Sequence, residues 1–319
     1  MILNSTNSNI SIMLKKLLLS ITLLILASCE SNINSSNFEQ SNITQDSLNS
    51  YSKDNSDWYE KLSPNLKEYY SEANGKQGQE LLNSLHKIVN QAEVIDYGNA
   101  TSYLYTVVDN VQNGSKKGIR EAYSNIIVEG DGPSGHKYKE IGDANGDGKK
   151  GDAINCEHTW PQSFFNKEGA MRSDLHHLFP TLSTPNSKRG SFGFGLASEG
   201  KVTYSTSSGS KLVLLSDSSY VFEPSNIQKG NSARALLYFY LRYYDKNIRS
   251  SEYNAKSFFI DRLPMFENWI QNDSVDQQEV FRNESIFKLQ KNRNPFIDIP
   301  NLVSIIGIKT FSDIEKSLK

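Results

Sequence analysis

The pattern of apolar and polar residues along the chain predicts three helices. Between residues 78 and 90, leucine, isoleucine and valine recur at intervals of three and four, which places them on one face of a helix. Residues 232–244 have a similar apolar side with arginines elsewhere, and residues 275–289 form a third candidate. These helices would supply much of the core of a folded domain.

Other segments have the composition of strands and turns. Pro264 is expected to open a turn over residues 265–270, in which Trp269 belongs to the core rather than to a base-stacking surface. Aromatic and β-branched residues favour the extended conformation. They predict strands at residues 103–108, 123–128, 201–205 and 211–215. The predicted fold class is therefore α+β.

The N-terminus has the pattern of an export signal. Lys15 and Lys16 precede a largely apolar run over residues 17–26, which is too short to cross a membrane comfortably. The run ends in Leu-Ala-Ser before Cys29, which resembles the bacterial lipoprotein signal, in which the cysteine is diacylated. The alternative is an ordinary cleaved signal with an incidental cysteine.

The chain accordingly divides into three predicted parts. Residues 1–28 are the lipoprotein signal peptide. Residues 29–56, rich in Ser, Asn, Gln and Thr, are a flexible tether that cannot bury enough apolar surface to fold. Residues 57–319 form the folded domain, whose remaining cysteine, Cys156, is expected to pack as a small hydrophobic residue.

Composition and charge restrict the function only weakly. The net charge of −2 argues against a generally basic nucleic-acid-binding protein but leaves a local basic groove open. Residues 143–148, Asp-Ala-Asn-Gly-Asp-Gly, match the first half of a calcium-binding loop. Position twelve of that loop is Ile154 rather than a glutamate, so a polar turn is the favoured interpretation.

The strongest chemical signal lies in residues 155–195, which hold three of the five histidines. If the reaction is phosphodiester hydrolysis, it needs a base for water and a divalent cation for the phosphate charge. His158 suits the base, and Glu157 and Asn186 are oxygen donors that suit Mg²⁺. Adjacent strand residues point to opposite faces, so Glu157 and His158 can share a site only near a strand end or bend.

Two other interpretations of this stretch are open at this point. A Glu-His pair by itself is more often a buried histidine beside a surface glutamate. A zinc site built from His158, His176 and His177 would need three or four ligands that converge, and adjacent histidines rarely do so.

A family resemblance favours the nuclease interpretation. The motifs are EHTWPQS at residues 157–163, SDLHHLFP at 173–180, NSKRG at 186–190, GNSARALLY at 230–238, RN at 282–283 and QKNRNPFID at 290–298. In this order they resemble the endonuclease I family of exported bacterial nucleases, over about residues 80–300. The resemblance implies a mixed helical domain with a ββα-metal (His-Me finger) catalytic core.

The resemblance also implies roles for individual residues. His158 would be the general base, and Glu157 and Asn186 would hold Mg²⁺, with Mn²⁺ or Ca²⁺ as alternatives and no organic cofactor. Arg189 would either contact phosphate or support the motif. Arg172 is the nearest counterpart of the family's phosphate-binding arginine, although the segment between His158 and Asp174 is short here.

Further side chains of the motifs are expected to act in support. Asp174, His176 and His177 match the family's acidic-Leu-His pattern and would form hydrogen bonds behind the site. The sequence also predicts a basic face for DNA, formed by Lys188, Arg189, Arg234, Arg282, Lys291 and Arg293. Scattered solvated charges are the alternative to that face.

The sequence thus predicts a monomeric, exported nuclease that acts on DNA, with RNA as an open alternative, and leaves 5′-phosphate ends. It would be held to the membrane by the lipid on Cys29, in the periplasm or at the cell surface, or be released. Two other functions compete with this prediction. One is a non-catalytic envelope lipoprotein that keeps the nuclease fold, and the other is a phosphodiesterase for small nucleotides.

Overall fold

A computed structural model describes residues 57–114, 116–129, 154–250 and 254–318. The predicted signal peptide, the tether with Cys29, and the candidate calcium loop at residues 143–148 lie outside the described residues. Within the described ranges, no helix combines the length and apolarity that crossing a membrane would require.

Helices account for more of the described chain than strands do. They are α1 Pro64–Tyr69, α2 Gly78–Val89, α3 Tyr97–Tyr103, α4 Gly169–Arg172, α5 Ser183–Arg189, α6 Asn226–Tyr243, α7 Ala255–Phe258, α8 Leu263–Asn272, α9 Gln277–Gln290, α10 Pro295–Asp298, α11 Leu302–Ile306 and α12 Ile308–Ser317. A π-helical segment, Leu104–Val108, continues α3. Short 3₁₀ turns include Gln162–Phe165 and Leu175–His177.

The described strands form three small antiparallel sheets. They are β1 Asn110–Asn113, β2 Lys116–Arg120, β3 Ile127–Glu129, β4 Ile154–His158, β5 Leu178–Leu182, β6 Lys201–Ser205, β7 Lys211–Leu214 and β8 Tyr220–Glu223. The strand orders are β1-β2-β3, β4-β5 and β6-β7-β8. The mixture of helices and antiparallel sheets confirms the predicted α+β class.

Two hydrophobic clusters hold these elements together. The larger surrounds α6, in which Ser232 to Tyr243 are all buried. A helix that is buried on every side belongs in the centre of a core. The smaller cluster lies against the β4–β5 hairpin and includes Ile154 and Cys156. Cys156 therefore packs as the small hydrophobic residue that the sequence predicted.

Several element predictions are confirmed, with shifted ends. The helix predicted at 78–90 is α2, and strands appear at both 201–205 and 211–214. Helix α6 begins six residues before the prediction, and Trp269 is buried in α8. Residues 263–272 are helical rather than a turn, because Pro264 lies in the first turn, where its missing N–H costs nothing.

The strand predicted at 103–108 is wrong. The Asp96 side chain accepts a hydrogen bond from the Asn99 amide at 3.0 Å and starts a helix there. Ala100, Leu104 and Val108 then recur at helical spacing and are buried in the smaller cluster. Burial of this face outweighs the weak preference of aromatic and β-branched residues for strands.

The strand predicted at 123–128 is right only at its end, Ile127–Glu129. The Glu121 carboxylate accepts hydrogen bonds from the amides of Tyr123 and Ser124, and Asn125 has a φ of 53°. These features form a turn. This turn brings Tyr123 into contact with Glu157.

Candidate active site

Glu157 and His158 are the last two residues of β4, opposite Phe179 and Leu178 of β5. Helix α5 follows β5 directly and packs against both strands. It brings the Asn186 amide Nδ2 to 3.4 Å from the Cys156 carbonyl oxygen. The strand end and the returning helix that a shared site requires are both present.

The His158 ring is held in one orientation. Its Nε2 lies 3.1 Å from the Arg172 carbonyl oxygen, to which it can only donate. We therefore assign the proton to Nε2, which leaves the lone pair on Nδ1, although the Cys156 carbonyl also lies close to the ring. Burial, reinforced by the nearby His177, lowers the pKa of His158 to about 3. The imidazole is neutral at physiological pH.

Helix α4 supplies the anchor for that orientation. Its last three carbonyl oxygens, which have no partner within so short a helix, accept hydrogen bonds from three different side chains. Ala170 accepts from Tyr243 at 3.3 Å, Met171 from His177 at 2.7 Å, and Arg172 from His158 at 3.1 Å.

The Glu157 carboxylate is buried, and its contacts fall on one oxygen. Tyr123 donates to Oε1 at 2.8 Å, and the Arg189 Nε lies 3.2 Å from the same atom. The Arg189 N–H is poorly aligned for a hydrogen bond, so that contact is an ion pair. Burial raises the pKa of Glu157, while Arg189 and Tyr123 oppose the rise. Oε2 has no partner among the described residues.

The arrangement fits a small divalent cation. Because Asn186 uses its Nδ2 toward the Cys156 carbonyl, its Oδ1 is an acceptor without a described partner, as is Glu157 Oε2. Two hard oxygens suit Mg²⁺, which keeps several waters. In the described part of the chain, no three His, Cys, Asp or Glu side chains group around a possible metal site. His158, His176 and His177 each direct one ring nitrogen at a backbone carbonyl, which disfavours the zinc alternative.

The Arg189 side chain is directed inward. It is 1% exposed, donates to the carbonyls of His158 and Thr159 at 3.3 and 2.5 Å, and pairs with Glu157. A guanidinium so enclosed cannot reach a phosphate outside the protein. Of its two predicted roles, the geometry supports the motif-supporting one and argues against phosphate binding.

Arg172 is placed differently. Its side chain is half-buried, and the guanidinium carbon lies 3.8 Å from the centre of the Tyr97 ring. That ring also stacks beside His158, with 5.9 Å between ring centres. Tyr97 and Tyr123 contact His158 and Glu157 respectively, and neither is among the residues predicted from the sequence. Nothing in their sequence neighbourhood distinguishes them from core aromatics.

Asp174, His176 and His177 lie behind the site. Burial opposes ionisation of Asp174, but Arg242 and further donors outweigh it and hold its pKa below the usual value. Burial lowers the pKa of His176 to about 3 and of His177 to about 4. The donors to Asp174 are Arg242 at 2.6 Å, Tyr238 at 2.9 Å, Tyr243 and Gln290 at 3.0 Å, and the His176 amide at 3.1 Å.

The predicted basic face is wrong for four of its six residues. These four arginines are buried and paired with carboxylates, whereas Lys188 and Lys291 are exposed. The pairs are Arg189 with Glu157, Arg234 with Glu279, Arg282 with Asp109, and Arg293 with Asp298. A sequence shows which residues carry charge, but it does not show which of them pair in the folded protein.

Comparison with known proteins identifies the family. The chain is 32% identical over 241 residues to an extracellular ribonuclease of Bacillus amyloliquefaciens, an alignment that covers 73% of this chain and 75% of the relative. It is also 32% identical over 136 residues to a periplasmic deoxyribonuclease of Aeromonas hydrophila, covering 42% and 49% respectively. The sequence profile described as Endonuclease I matches residues 77–301. The chain belongs to the endonuclease I family of nucleases.

Proposed function

We propose that this protein is a divalent-metal-dependent endonuclease that hydrolyses phosphodiester bonds with little sequence preference. The observation that carries the proposal is the convergence of Asn186 on the strand end that bears Glu157 and His158. Glu157 Oε2 and Asn186 Oδ1 would hold the cation, which we take to be Mg²⁺. A bound cation would offset negative charge on the phosphate and the leaving oxygen.

The protein's own groups account for the proton transfer. The Nδ1 lone pair of His158 takes a proton from water, and the resulting hydroxide attacks phosphorus. The bond from phosphorus to the 3′ oxygen breaks, and that oxygen is protonated from solvent. The products are a 5′-phosphate and a 3′-hydroxyl. Arg172, braced on Tyr97 beside His158, is our candidate for holding the phosphate.

The proposed substrate class depends on contacts to the phosphate backbone rather than to the bases. Relatives of this chain are named ribonuclease and deoxyribonuclease. Contacts to phosphate carry little sequence information. We therefore propose that both DNA and RNA are substrates, with DNA the primary one.

The test is cleavage of supercoiled plasmid by the purified full-length chain, with Mg²⁺ or with EDTA. We expect nicking with Mg²⁺ and none with EDTA. Loss of the general base in His158→Ala should reduce the rate about 10²- to 10⁴-fold. Inactivity of the wild type across several divalent metals, with bis-p-nitrophenyl phosphate also uncleaved, would favour the non-catalytic lipoprotein. Cleavage of that small ester alone would favour a small-nucleotide phosphodiesterase.

We also propose that the protein acts outside the cytoplasm, held by a lipid on Cys29. Relatives named extracellular or periplasmic support export. The anchor rests on the N-terminal signal pattern. A Cys29→Ser variant should take up no labelled fatty acid in bacterial cells, and continued uptake by that variant would refute the anchor.

A further inference from the structure

Phe192 exposes an aromatic ring next to the helix that carries Asn186. The side chain is 38% exposed, and its ring lies 5.2 Å from that of Tyr220. It follows α5 closely, since a Cβ placed on Gly190 would lie 3.7 Å from the Phe192 ring. A single exposed ring needs no partner by itself, so the cavity beside it decides whether Phe192 belongs to a binding site.

A cavity of about 600 Å³ opens beside this ring. Aromatic side chains form its walls, with Phe192 and Tyr220 joined by Phe164 and Phe258. Hydroxyl and amide groups, including those of Ser191 and Asn254, also line it. Flat apolar walls with a few polar groups suit a planar, uncharged ligand that has hydrogen-bonding edges.

The charges around the cavity indicate what it excludes. Two of its described lining residues are charged, and both are engaged within the protein. Arg262 binds both carboxylate oxygens of Glu199, at 2.7 and 2.6 Å. The Asp217 carboxylate accepts from the amide and hydroxyl of Ser219. The one cation among the described lining residues is therefore already paired with a carboxylate, and Asp217 would repel a phosphate.

The cavity lies within reach of a strand bound at the catalytic site. Ser191 Oγ is 3.3 Å from Ser163 Oγ, and Ser163 lies in the turn that follows β4. Along α5, Gly190 lies about 6 Å from Asn186, at roughly 1.5 Å per residue. That distance is about two nucleotide spacings of roughly 3.4 Å.

We propose that this cavity is a stacking subsite for an unpaired nucleobase of the substrate, near the scissile phosphate. The inference rests on the nuclease function proposed above. Single-stranded nucleic acids bind by stacking their bases on aromatic side chains. A base within a duplex is already stacked and paired, so the subsite favours single-stranded substrates.

The test compares Phe192→Ala with Phe281→Ala, a control in α9 that is 51% exposed. The substrates are one sequence as single strand and as duplex, with phosphorothioate at every linkage but one. Phe192→Ala should lower kcat/KM on the single strand about tenfold and leave the duplex unchanged. Phe192→Trp should retain wild-type activity, and the control should behave as wild type.

Single strands with one abasic residue, moved across three positions on each side of the cleavable linkage, locate the subsite. At one position the wild type should lose as much as Phe192→Ala does, and that variant should lose nothing further. Equal losses on single strand and duplex, or no loss in Phe192→Ala, would overturn the proposal.

A binding measurement separates this inference from the nuclease function. Fluorescence anisotropy of the same labelled single strand in EDTA requires no cleavage. Weaker binding by Phe192→Ala than by Phe281→Ala supports the subsite even if the wild type proves inactive. Inactive wild type would overturn the proposed function, whereas equal binding by the two variants would overturn the subsite.

Discussion

Two arginines that the sequence treats alike have different positions at the candidate site. Arg172 is predicted to contact phosphate, and Arg189 either to contact phosphate or to support the motif. Arg189 is enclosed beneath the end of β4, where it pairs with Glu157 and binds backbone carbonyls. Arg172 is half-buried and stacks on Tyr97 next to the proposed base. The two side chains differ in burial, which cannot be read from the motif. Burial distinguishes the arginine that positions other residues, Arg189, from the one that is accessible to a substrate, Arg172.

Replacing Arg189 by methionine should destabilise the protein. It would leave Glu157 buried without its cation, and breaking a buried pair costs about 3–5 kcal/mol. The matched control is Lys188→Met at the exposed neighbouring position, which should change stability by less than about 0.5 kcal/mol. Urea unfolding gives both values. Unchanged stability of Arg189→Met with weaker nucleic-acid binding would instead show that Arg189 contacts phosphate.

The sequence predicted the site where its residues are close in the chain or belong to a motif. Glu157 and His158 are adjacent, and Asn186 falls in a second motif, so pattern and family resemblance indicated all three as candidates that the structure brings together. Tyr123 is 34 positions from its partner Glu157, and only the turn after β2 brings them together. A single sequence does not show which residues this far apart are in contact.

At the scale of elements, helices with one apolar face were predictable and the segment at 97–108 was not. Periodicity correctly indicated α2, which buries one apolar side against the core. Helix α9 lies where the sequence predicted a helix, but the residues that it buries are mostly polar. At 104–108 the composition favoured a strand, but a capped helix runs into the segment and buries Leu104 and Val108. Local preference is weak compared with the burial that tertiary packing provides.

Substitutions at Val107, which is 41% exposed in the π-helical segment, test this correction. Alanine should be neutral or stabilise by up to about 0.5 kcal/mol, since it favours helix more than valine does. Proline should cost about 3 kcal/mol. Chemical unfolding of both variants gives the comparison. A loss of about 1 kcal/mol in Val107→Ala would indicate the strand preference instead.

At the scale of the whole molecule, buried ionisable groups make the free energy of unfolding depend on pH. Burial lowers the pKa values of His176 and His177 to about 3 and 4, below the unfolded value of about 6.5. Between each folded pKa and the unfolded value of about 6.5, the unfolded chain binds more protons than the folded one. The stability that these two neutral histidines contribute is therefore present above pH 6.5 and is lost as the pH falls. Glu279, with a pKa raised to about 7 by burial, acts in the opposite direction.

A single variant measures the contribution of His176 alone to the pH dependence of stability. His176→Gln can keep a side-chain N–H directed at the Asn292 carbonyl, which His176 Nε2 contacts at 3.1 Å. Between pH 6.5 and 4.5 the wild type should lose about 1.4 kcal/mol more stability per pH unit than the variant. Unfolding free energies measured at several pH values give the two slopes. Parallel slopes would mean that His176 titrates normally in the folded protein.

The central claim is that Glu157 and Asn186 bind the metal while His158 handles the proton, and titration calorimetry with Mn²⁺ tests it most directly. The wild type and His158→Ala should bind one Mn²⁺ with similar affinity, although His158→Ala should cleave plasmid poorly. Glu157→Gln and Asn186→Ala should bind it far more weakly. Mn²⁺ binding that depends on His158 but not on Glu157 or Asn186 would contradict the account.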